Sequence, residues 1–360
     1  MRDKIIVIGG YGNVGSIITQ RLAKVFAGKV YAAGRSKAKA EKFAQETNNK
    51  VKPLVFSMKQ AISEDWFSEI KLVIVCIDQQ DTTFMEQCLK NGVAYVDITA
   101  NRHFLTMANK FNNDTFTAPA ILSVGFIPGI SNLLASRIQQ QYPTIHRLDI
   151  DVLLGLGDEH GEAALQWMLM QTYRPFTIYQ NGQKIKKTPF SDKKATFFDG
   201  NSTKHYTYRF PFPDQQTLYQ TLEVPTISTR VCFDSSIMTT ALYWLCKSRM
   251  NQLLKIPLLN KLFLTFLKNW KYGSKQCIVK VEGLDTNGSN HLTFSSEEEA
   301  TVTANVATCV AQALIENNFE HKIYHIEEIF SLTQNADQLH LQVTKTKKSY
   351  KLDKGSIDVI

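Results

Sequence analysis

Near the start of the chain, a continuous apolar run is followed by apolar positions at helical spacing. Ile5–Ile8 lies between charged residues and glycines, as is typical of a parallel strand that is buried on both faces. After a glycine-rich segment, five apolar residues recur at the spacing of one helix face: Val14, Ile17, Ile18, Leu22 and Val25. The pattern predicts a strand, a glycine turn and a helix.

This alternation of strands and helices continues to about residue 142. Apolar runs predict five more strands, at 29–33, 51–57, 72–77, 94–98 and 120–124. Helical spacing is found near 37–48, 81–91 and 130–142. Strands that alternate with helices of about a dozen residues are typical of a doubly wound parallel sheet. We therefore predict an α/β protein in which residues 1–128 form an N-terminal Rossmann domain.

The second half of the chain has a different pattern. It predicts strands of a mixed or antiparallel sheet at 147–154, 177–186, 196–212, 217–231 and 276–282, and a terminal hairpin between 340 and 360. Helices are expected near 161–173, 234–250 and 297–317. We assign residues 129–360 to a mixed α/β (α+β) substrate or dimerisation domain, and we expect the helix near 297–317 to return to the Rossmann domain.

Length and composition agree with two folded domains. The chain has 360 residues, of which 44% are hydrophobic and 21% are charged, and this excludes long disordered tails as its main content. Its six cysteines form no Cys-x-x-Cys pair and have no histidine at zinc-finger spacing, so we expect reduced thiols and no metal site. Because we find neither a signal-peptide pattern nor a spanning apolar run, we expect a cytoplasmic protein.

The formal net charge of +8 comes mostly from residues 241–275, which we call the basic stretch. It has no acidic residue and seven basic ones: Lys247, Arg249, Lys255, Lys261, Lys268, Lys271 and Lys275. Because the rest of the chain is close to neutral, we expect no nucleic-acid partner. The basic residues alternate with leucines and phenylalanines, which would allow contact with an anionic membrane surface. Pro257 interrupts the segment, so we favour helices that cover a sheet or form the contact of a homodimer.

The residues after the first strand match the dinucleotide fingerprint G-x-G-x-x-G: Gly10, Tyr11, Gly12, Asn13, Val14 and Gly15. Its glycines turn the chain and admit a pyrophosphate to the helix N-terminus. The second strand ends at Gly34-Arg35-Ser36, and no acidic residue lies between Asp3 and Glu41. An arginine here favours the 2′-phosphate of NADP over the ribose hydroxyl of NAD. We therefore predict NADP as the cofactor, held by Arg35 and Ser36, with NAD as the alternative.

The ends of the fourth and fifth predicted strands should line the other half of the dinucleotide, because ligands of doubly wound sheets bind at the carboxyl ends of the strands. We expect four residues at the nicotinamide: Cys76, Ile77, Asp78 and Thr99. Asp97 ends the fifth strand, and His160 lies in a loop that enters the second domain. Both can transfer a proton, so we predict them as the catalytic residues.

A second motif lies before the crossover helix, where the chain reads Gly125-Phe126-Ile127-Pro128-Gly129. Together with the strand end Tyr95-Val96-Asp97, it resembles the reductase type of the saccharopine dehydrogenase family, which includes carboxynorspermidine synthases. The resemblance covers the first 140 residues or so and extends loosely over the rest, where 155–161 takes the place of a glycine-rich substrate loop. The family has aspartate at the position of Ile127, so the resemblance does not carry the family's substrate or proton-transfer scheme over to this chain.

The resemblance implies an oxidoreductase that acts on CH–NH groups. An amine and a carbonyl compound join as an imine, and NADPH delivers hydride to its carbon, or the reverse reaction occurs. The implied substrate is a small amino acid, oxo-acid or polyamine, and its candidate contacts are Gly125, Phe126, Asp158 and Arg174. Arg209 and Arg230 are alternatives to Arg174 as partners of a substrate carboxylate.

Two other functions stay open. A non-catalytic NADP-binding sensor would explain Ile127 as a sign of lost chemistry. A peripheral membrane protein would use the basic stretch and keep the nucleotide fold for structure.

Overall fold

The computed structural model describes residues 2–58, 60, 62–111, 115–158, 161–198, 203–269, 272–286, 288–335 and 338–359. In the first 129 residues, strands and helices alternate as the hydrophobic pattern predicts. The elements in chain order are β1 (Lys4–Ile8), α1 (Asn13–Val25), β2 (Val30–Gly34), α2 (Lys37–Glu46), β3 (Lys52–Val55), α3 (Glu64–Phe67), β4 (Ile70–Val75), α4 (Thr83–Lys90), β5 (Ala94–Asp97), α5 (Arg102–Ala108) and β6 (Ala120–Leu122).

The middle of the chain contains helices and strands in a mixed order. They are α6 (Ser131–Gln141), β7 (Arg147–Leu154), α7 (Glu162–Gln171), β8 (Phe176–Gln180), β9 (Gln183–Lys187), β10 (Lys194–Phe197), β11 (Lys204–Arg209), α8 (Asp214–Leu222), β12 (Thr226–Phe233), α9 (Ser236–Lys247), α10 (Pro257–Asn269), β13 (Gln276–Asp285) and β14 (Gly288–Glu297). A short 3-10 helix, Met250–Lys255, precedes α10.

The last part of the chain begins with the longest helix. Its elements are α11 (Glu299–Glu316), β15 (Ile323–His325), α12 (Ile326–Ile329), β16 (Phe330–Asn335), β17 (Gln338–Val343), β18 (Ser349–Lys351) and β19 (Ser356–Val359). The chain divides into two compact units, which we call the first unit (1–129 with 300–353) and the second unit (130–299 with 354–360).

The first unit contains a seven-stranded sheet in the order β15-β6-β5-β4-β1-β2-β3. All neighbouring strands in it are parallel. Its central strands are buried except at Lys4 and Lys71, which explains their apolar runs. The predicted doubly wound parallel sheet is therefore confirmed. A separate antiparallel sheet of β16, β17 and β18 belongs to the same unit.

The second unit contains a mixed sheet, as the fold class predicts. Its order is β10-β11-β12-β7-β13-β14-β19, and the hairpin of β8 and β9 also pairs with β12. Only β7 and β12 are parallel neighbours among the described pairs of this sheet. One face of β7 carries Leu148, Ile150 and Val152, and the opposite face carries Asp149 and Asp151.

The strand predicted over 217–231 is partly a helix. Residues 214–222 form α8, and only the later part belongs to a strand, β12. Leu218 and Leu222 are buried four residues apart, which is the spacing of a helix face. Glu223 ends the helix in the left-handed conformation, with φ of 56°. The wrong prediction came from taking alternating polar and apolar residues as a strand period.

Other predicted strands divide at turns. The segment 177–186 is the hairpin of β8 and β9, whose turn residues Asn181 and Gly182 both have positive φ, as a two-residue turn requires. The segment 196–212 contains the end of β10 and the whole of β11, with residues 199–202 outside the described part. The predicted terminal hairpin is present in part: β17 and β18 pair between 340 and 351, whereas the last strand, β19, pairs with β14 instead.

The basic stretch forms the end of α9, the 3-10 helix and α10. Helix α9 packs against β11 and β12 with Leu242 buried, as expected of a helix that covers a sheet. Among the described residues, α10 has no buried member, and it packs against α7 and the 3-10 helix. No helix in the described part of the chain is both long and apolar enough to cross a membrane.

A buried ionic network lies on the sheet of the second unit. Asp149 is 2% exposed and accepts hydrogen bonds from Arg147 Nη2 at 2.9 Å, Arg230 Nη1 at 3.2 Å and the hydroxyl of Ser228. Lys194 Nζ lies 3.4 Å from Asp149 Oδ2. Burial alone would raise the pKa of Asp149, but Lys194 and Arg230 outweigh it and hold the pKa below its usual range. Asp149 is therefore ionised and balances buried cations.

We expect Asp149→Asn to lower the free energy of unfolding by about 3–5 kcal/mol, because it leaves buried cations without a counter-charge. Urea unfolding followed by circular dichroism measures this loss. Asp3→Asn is the matched control, since its pair with Lys29 (3.6 Å) is exposed; such pairs contribute about 0–1 kcal/mol. Equal losses in the two variants would contradict the importance of this network.

Candidate functional site

The glycine loop between β1 and α1 is packed against its own backbone. Gly9 has φ of +78° and its carbonyl accepts a hydrogen bond from Gly12 N at 2.8 Å. A Cβ atom at Gly15 would lie 2.2 Å from Gly9 O, and one at Gly10 would lie 2.6 Å from Val7 O. Side chains at these positions would push the loop away from α1. The fingerprint glycines are therefore required by close backbone contacts.

The start of α1 is open to a ligand. Gly12 and Asn13 are exposed, and no side chain among the described residues caps the helix. Helix N–H groups at such an end, with the positive end of the helix dipole, attract an anion. Val14 and Gly15 lie in the first turn of α1, where the fingerprint predicts them.

The end of β2 lies beside the glycine loop. Tyr11 Oη accepts a hydrogen bond from Ser36 N at 3.0 Å, and a Cβ at Gly34 would lie 2.2 Å from this oxygen. Ser36 Oγ accepts from Lys39 N and caps α2. Arg35 is exposed and has no hydrogen bond or ion pair to any described residue. The guanidinium of Arg35 and the hydroxyl of Tyr11 can therefore both donate hydrogen bonds to a phosphate at this strand end.

The end of β4 contacts the other side of the glycine loop. A Cβ at Gly9 would lie 2.8 Å from Ile77 Cγ2. Ile77 and Asp78 are exposed, whereas Cys76 is half-buried. Burial, followed by the charge of Asp97, raises the pKa of the Cys76 thiol far above its usual range. Cys76 is therefore a neutral thiol, suited to contact with a ring rather than to nucleophilic attack.

Asp97 is the centre of a buried hydrogen-bonded cluster at the end of β5. Its Oδ2 accepts from Tyr95 Oη at 2.9 Å and from Gln79 Nε2, and its Oδ1 accepts from Thr99 N at 2.7 Å. Gln79 Nε2 also lies 2.7 Å from Tyr95 Oη. Asp97 is 0% exposed. Every partner of this carboxyl group is uncharged, in contrast to the partners of Asp149.

The environment of Asp97 favours its neutral form. Burial raises the pKa of Asp97 to about 7, although the hydrogen bonds from Thr99 N and Tyr95 oppose the shift. The nearby charge of Asp78 adds to the increase. A carboxyl group with this pKa holds a proton at neutral pH and can also release it.

Asp78 connects the cluster to the exposed edge of the sheet. Its Oδ1 accepts from Asn101 Nδ2 at 2.9 Å and from Thr99 Oγ1 at 3.3 Å. Asn101 also donates to Gln79 O at 3.0 Å, and its Oδ1 caps α5. The ends of β4 and β5 are thus tied together by side chains, and Cys76, Ile77, Asp78, Asp97 and Thr99 share one edge of the sheet.

The turn after β6 holds its residues tightly. Phe126 is 1% exposed, and its N–H donates to Thr303 Oγ1 at 3.2 Å. A Cβ at Gly125 would lie 3.2 Å from Pro128 O. Gly129 has φ of +142°, which requires glycine, and Ile127 is half-buried. These backbone contacts maintain the turn of the segment Gly125–Gly129, although isoleucine stands at position 127 where the family has aspartate.

The predicted residues of the second half lie in the second unit. Asp158 Oδ2 accepts from Glu299 N at 2.8 Å, which places this carboxylate at the start of α11. Arg174 is exposed after α7. Arg230 is 4% exposed and belongs to the buried ionic network, whereas Arg209 is 6% exposed and pairs with Asp192 at 3.2 Å. His160 lies outside the described residues.

Sequence reasoning missed three members of the Asp97 cluster as site residues: Gln79, Tyr95 and Asn101. Tyr95 stands two positions before Asp97, so both side chains point to the same face of β5. Gln79 and Asn101 each stand four residues after a strand end, in the loops where polar side chains are a signal of a site.

A second buried chain of polar groups lies at the end of β6. Ser123 Oγ is 2.7 Å from His325 Nδ1, and His325 Nε2 is 3.0 Å from Asn109 Oδ1. Burial lowers the pKa of His325 to about 4, so its ring is neutral. Both Ser123 and His325 are buried, and the chain joins β6 to β15. Its contacts are those of a structural link.

Comparison with known proteins supports a dinucleotide site in the first unit. Residues 5–119 match the family model described as the saccharopine dehydrogenase NADP binding domain. The carboxyaminopropylagmatine dehydrogenase of Synechocystis sp. is 30% identical over 179 residues, which cover 44% of this chain and 43% of that protein. The chain thus aligns with less than half the length of this relative. The family match confirms the resemblance that the sequence predicts in the N-terminal part.

The fold as a whole is similar to that of a solved enzyme. The apo saccharopine dehydrogenase (L-Glu forming) from Saccharomyces cerevisiae covers 90% of this chain, and 94% of that chain is covered, with a TM-score of 0.60 and 10% sequence identity. At this identity the likeness concerns the fold alone, and it confirms the predicted fold class.

The raised pKa of Asp97 predicts a stability that depends on pH. Its pKa is about 7 in the folded protein, above the ordinary value of 3.8. The protonated carboxyl group contributes fully to the free energy of unfolding below pH of about 4. This contribution decreases as the pH rises and is lost above about 7, so that the free energy of unfolding falls by up to about 4 kcal/mol. Thermal unfolding between these pH values should show this decrease in the wild type and not in Asp97→Asn. If the melting temperatures of the two proteins change with pH in the same way, the pKa of Asp97 is not raised in the folded protein.

Proposed function

We propose that the protein is an NADP-dependent oxidoreductase that transfers hydride to or from the carbon of an imine or secondary amine formed between an amino compound and a carbonyl compound. The observation that carries the proposal is the buried carboxyl group of Asp97, with a pKa of about 7, at the strand ends where a dinucleotide binds in this fold. The match of residues 5–119 to an NADP-binding domain supports the cofactor.

The residues present fit a dinucleotide. The glycine loop leaves no room for Cβ atoms at Gly10 and Gly15, and the open start of α1 offers N–H groups to a pyrophosphate. Arg35 and Tyr11 Oη would hold a 2′-phosphate at the end of β2, next to Ser36. Cys76, Ile77, Asp78 and Thr99 would line the nicotinamide side.

The bound cofactor would supply the hydride chemistry. The chain's own task is then to orient the reactants, exclude water and hold one proton. We assign the proton to a carboxyl oxygen of Asp97, which Gln79 and Tyr95 keep in place. Because the pKa of this group is near neutrality, it can gain or lose the proton within the ordinary working range.

The substrate class follows from the relatives. We infer a small molecule with amino and carboxyl groups, or a polyamine precursor, since the aligned relative is named as a dehydrogenase of carboxyaminopropylagmatine. Gly125, Phe126, Asp158 and Arg174 stay the candidate substrate residues, and His160 stays the second candidate for proton transfer. We assign the second unit to substrate binding or to formation of a homodimer.

A second candidate function is a non-catalytic NADP sensor. Ile127 favours it, because a half-buried apolar side chain replaces the carboxylate that the family places near the substrate. The sensor and the enzyme share the cofactor site and differ in whether hydride is transferred.

Arg35→Asp tests the cofactor. We expect it to weaken NADPH binding roughly 10- to 100-fold, because one charge-assisted contact with the 2′-phosphate is replaced by repulsion, and to leave NADH binding equal or stronger. Calorimetric titration with both dinucleotides measures the effect. Lys110→Asp makes the same charge change at an exposed residue after α5 and should leave both affinities unaltered. An equal loss for NADPH and NADH in Arg35→Asp would remove this residue from phosphate recognition.

Turnover tests the reaction. We expect the purified protein to oxidise NADPH in the presence of one pair drawn from panels of amines, amino acids and oxo-acids. Asp97→Asn should then lower kcat roughly 10²- to 10⁴-fold, the usual contribution of a proton-transferring group, with little change in NADPH affinity.

The control for the turnover measurement is Asp65→Asn, a change at an exposed carboxylate in α3. Tight NADPH binding without turnover on any pair would favour the sensor. Turnover that persists in Asp97→Asn would leave the oxidoreductase and overturn the role of Asp97.

A further inference from the structure

The exposed apolar side chains of the protein are concentrated in one segment of the second unit. Nine large ones lie between residues 237 and 272: Ile237, Trp244, Met250, Leu253, Ile256, Leu258, Leu262, Phe266 and Tyr272. They are 49% to 80% exposed. Single exposed apolar residues are ordinary, but a group of this size in neighbouring elements marks a contact surface.

Helix α10 is apolar on two faces. Leu259, Phe263 and Leu267 are half-buried and recur every four residues. Leu258, Leu262 and Phe266 recur at the same spacing on an adjacent face and are 66%, 59% and 49% exposed. We call these three residues the outer stripe. A helix that only covered its own protein would have polar residues here.

Polar contacts hold α10 in place. Asn260 Nδ2 donates to Tyr173 Oη at 3.0 Å and to Leu254 O at 3.1 Å, and Tyr173 Oη donates to Leu254 O at 3.0 Å. These hydrogen bonds tie the helix to the residues that follow α7 and to the preceding 3-10 helix. The outer stripe takes no part in these hydrogen bonds, so a second surface can cover its exposed side chains while the bonds stay intact.

The charged residues of the segment that carries the outer stripe are all positive. Lys261 and Lys268 are exposed and seven residues apart, so they follow one side of the stripe. Within the described part of the chain, Arg249, Lys255 and Lys261 make no ion pair. Lys247 Nζ lies 4.8 Å from the ring of the exposed Trp244. The sequence from Ser235 to Val281 contains no aspartate or glutamate.

This charge pattern favours an anionic occupant over a second copy of the chain. A two-fold dimer through this face would bring the same lysines of both copies together without any acidic partner in the segment. An anionic lipid surface is complementary to the cations and accepts the apolar side chains below its headgroups. We propose that the outer stripe and the surrounding cations dock the protein on the surface of an anionic lipid bilayer, with α10 lying in the plane of the headgroups.

Vesicle flotation of the full chain tests the proposal. We expect the protein to float with vesicles of phosphatidylglycerol and phosphatidylcholine and not with vesicles of phosphatidylcholine alone. Raising the salt concentration should weaken the binding, because each cation near an anionic surface contributes about fivefold to affinity at low salt. Equal binding to both vesicle types, or no binding to the anionic ones, would overturn the proposal.

Two pairs of variants separate the apolar and the charged parts. Leu262→Glu should reduce binding to anionic vesicles at least about tenfold, since it removes an exposed apolar side chain that the bilayer would bury and adds repulsion. Val55→Glu is the matched control, with 56% exposure on β3 against 59% for Leu262. The double variant K255Q/K261Q should lose affinity for anionic vesicles. The control K42Q/K345Q lowers the net charge equally, at exposed lysines of the first unit, and should keep this affinity.

Folding and self-association are checked in the same samples. NADPH affinity and circular dichroism should be unaltered in Leu262→Glu, because α10 has no buried residue. Sedimentation velocity without vesicles reports the alternative occupant. If the wild type is a dimer that Leu262→Glu dissociates, the face is an interface between copies and the lipid proposal is wrong. Loss of vesicle binding in Val55→Glu or K42Q/K345Q to the same degree would also overturn it.

Discussion

The close approach of the glycine loop to the strands beside it is the constraint on which the first unit depends. A Cβ at Gly10 would lie 2.9 Å from Ala32 Cα in β2, and one at Gly9 would lie 2.8 Å from Ile77 after β4. The loop is thus fitted between two strand ends. This contact places the start of α1, Tyr11 with Arg35, and Asp78 around one region of the sheet edge, so the cofactor site is a consequence of how tightly the backbone packs.

The two units hold buried aspartates in opposite ways. Asp149 is surrounded by cations and is ionised, and it contributes to the stability of the second unit by balancing their charge. Asp97 has only uncharged partners, and burial raises its pKa to about 7. The chemistry of each carboxyl group therefore depends on its neighbours, and the one without cationic partners is the one that can exchange a proton near neutrality.

Residues close together in the sequence could be predicted well. The glycine fingerprint, Arg35 and the ends of β4 and β5 were predictable because each lies within a few residues of a strand whose apolar run is clear. The cluster of Gln79, Tyr95, Asp97 and Asn101 was found only in part, because it joins the ends of two strands about twenty residues apart. The helix α8 was missed because its buried positions also fit a strand period over a short window. The protonation of Asp97 could not be predicted, since it depends on burial in three dimensions.

The last strand of the parallel sheet comes from a distant part of the chain. β15 pairs with β6, and about 200 residues separate Leu122 from Ile323. At a synthesis rate of 5–20 residues per second, β6 therefore waits roughly 10–40 s on the ribosome with an unpaired edge. An apolar strand with an open edge is the kind of segment that pairs with other chains. The nascent protein thus exposes one edge of its parallel sheet until β15 is made, and the order of the strands along the chain sets how long it is open to pairing with other chains.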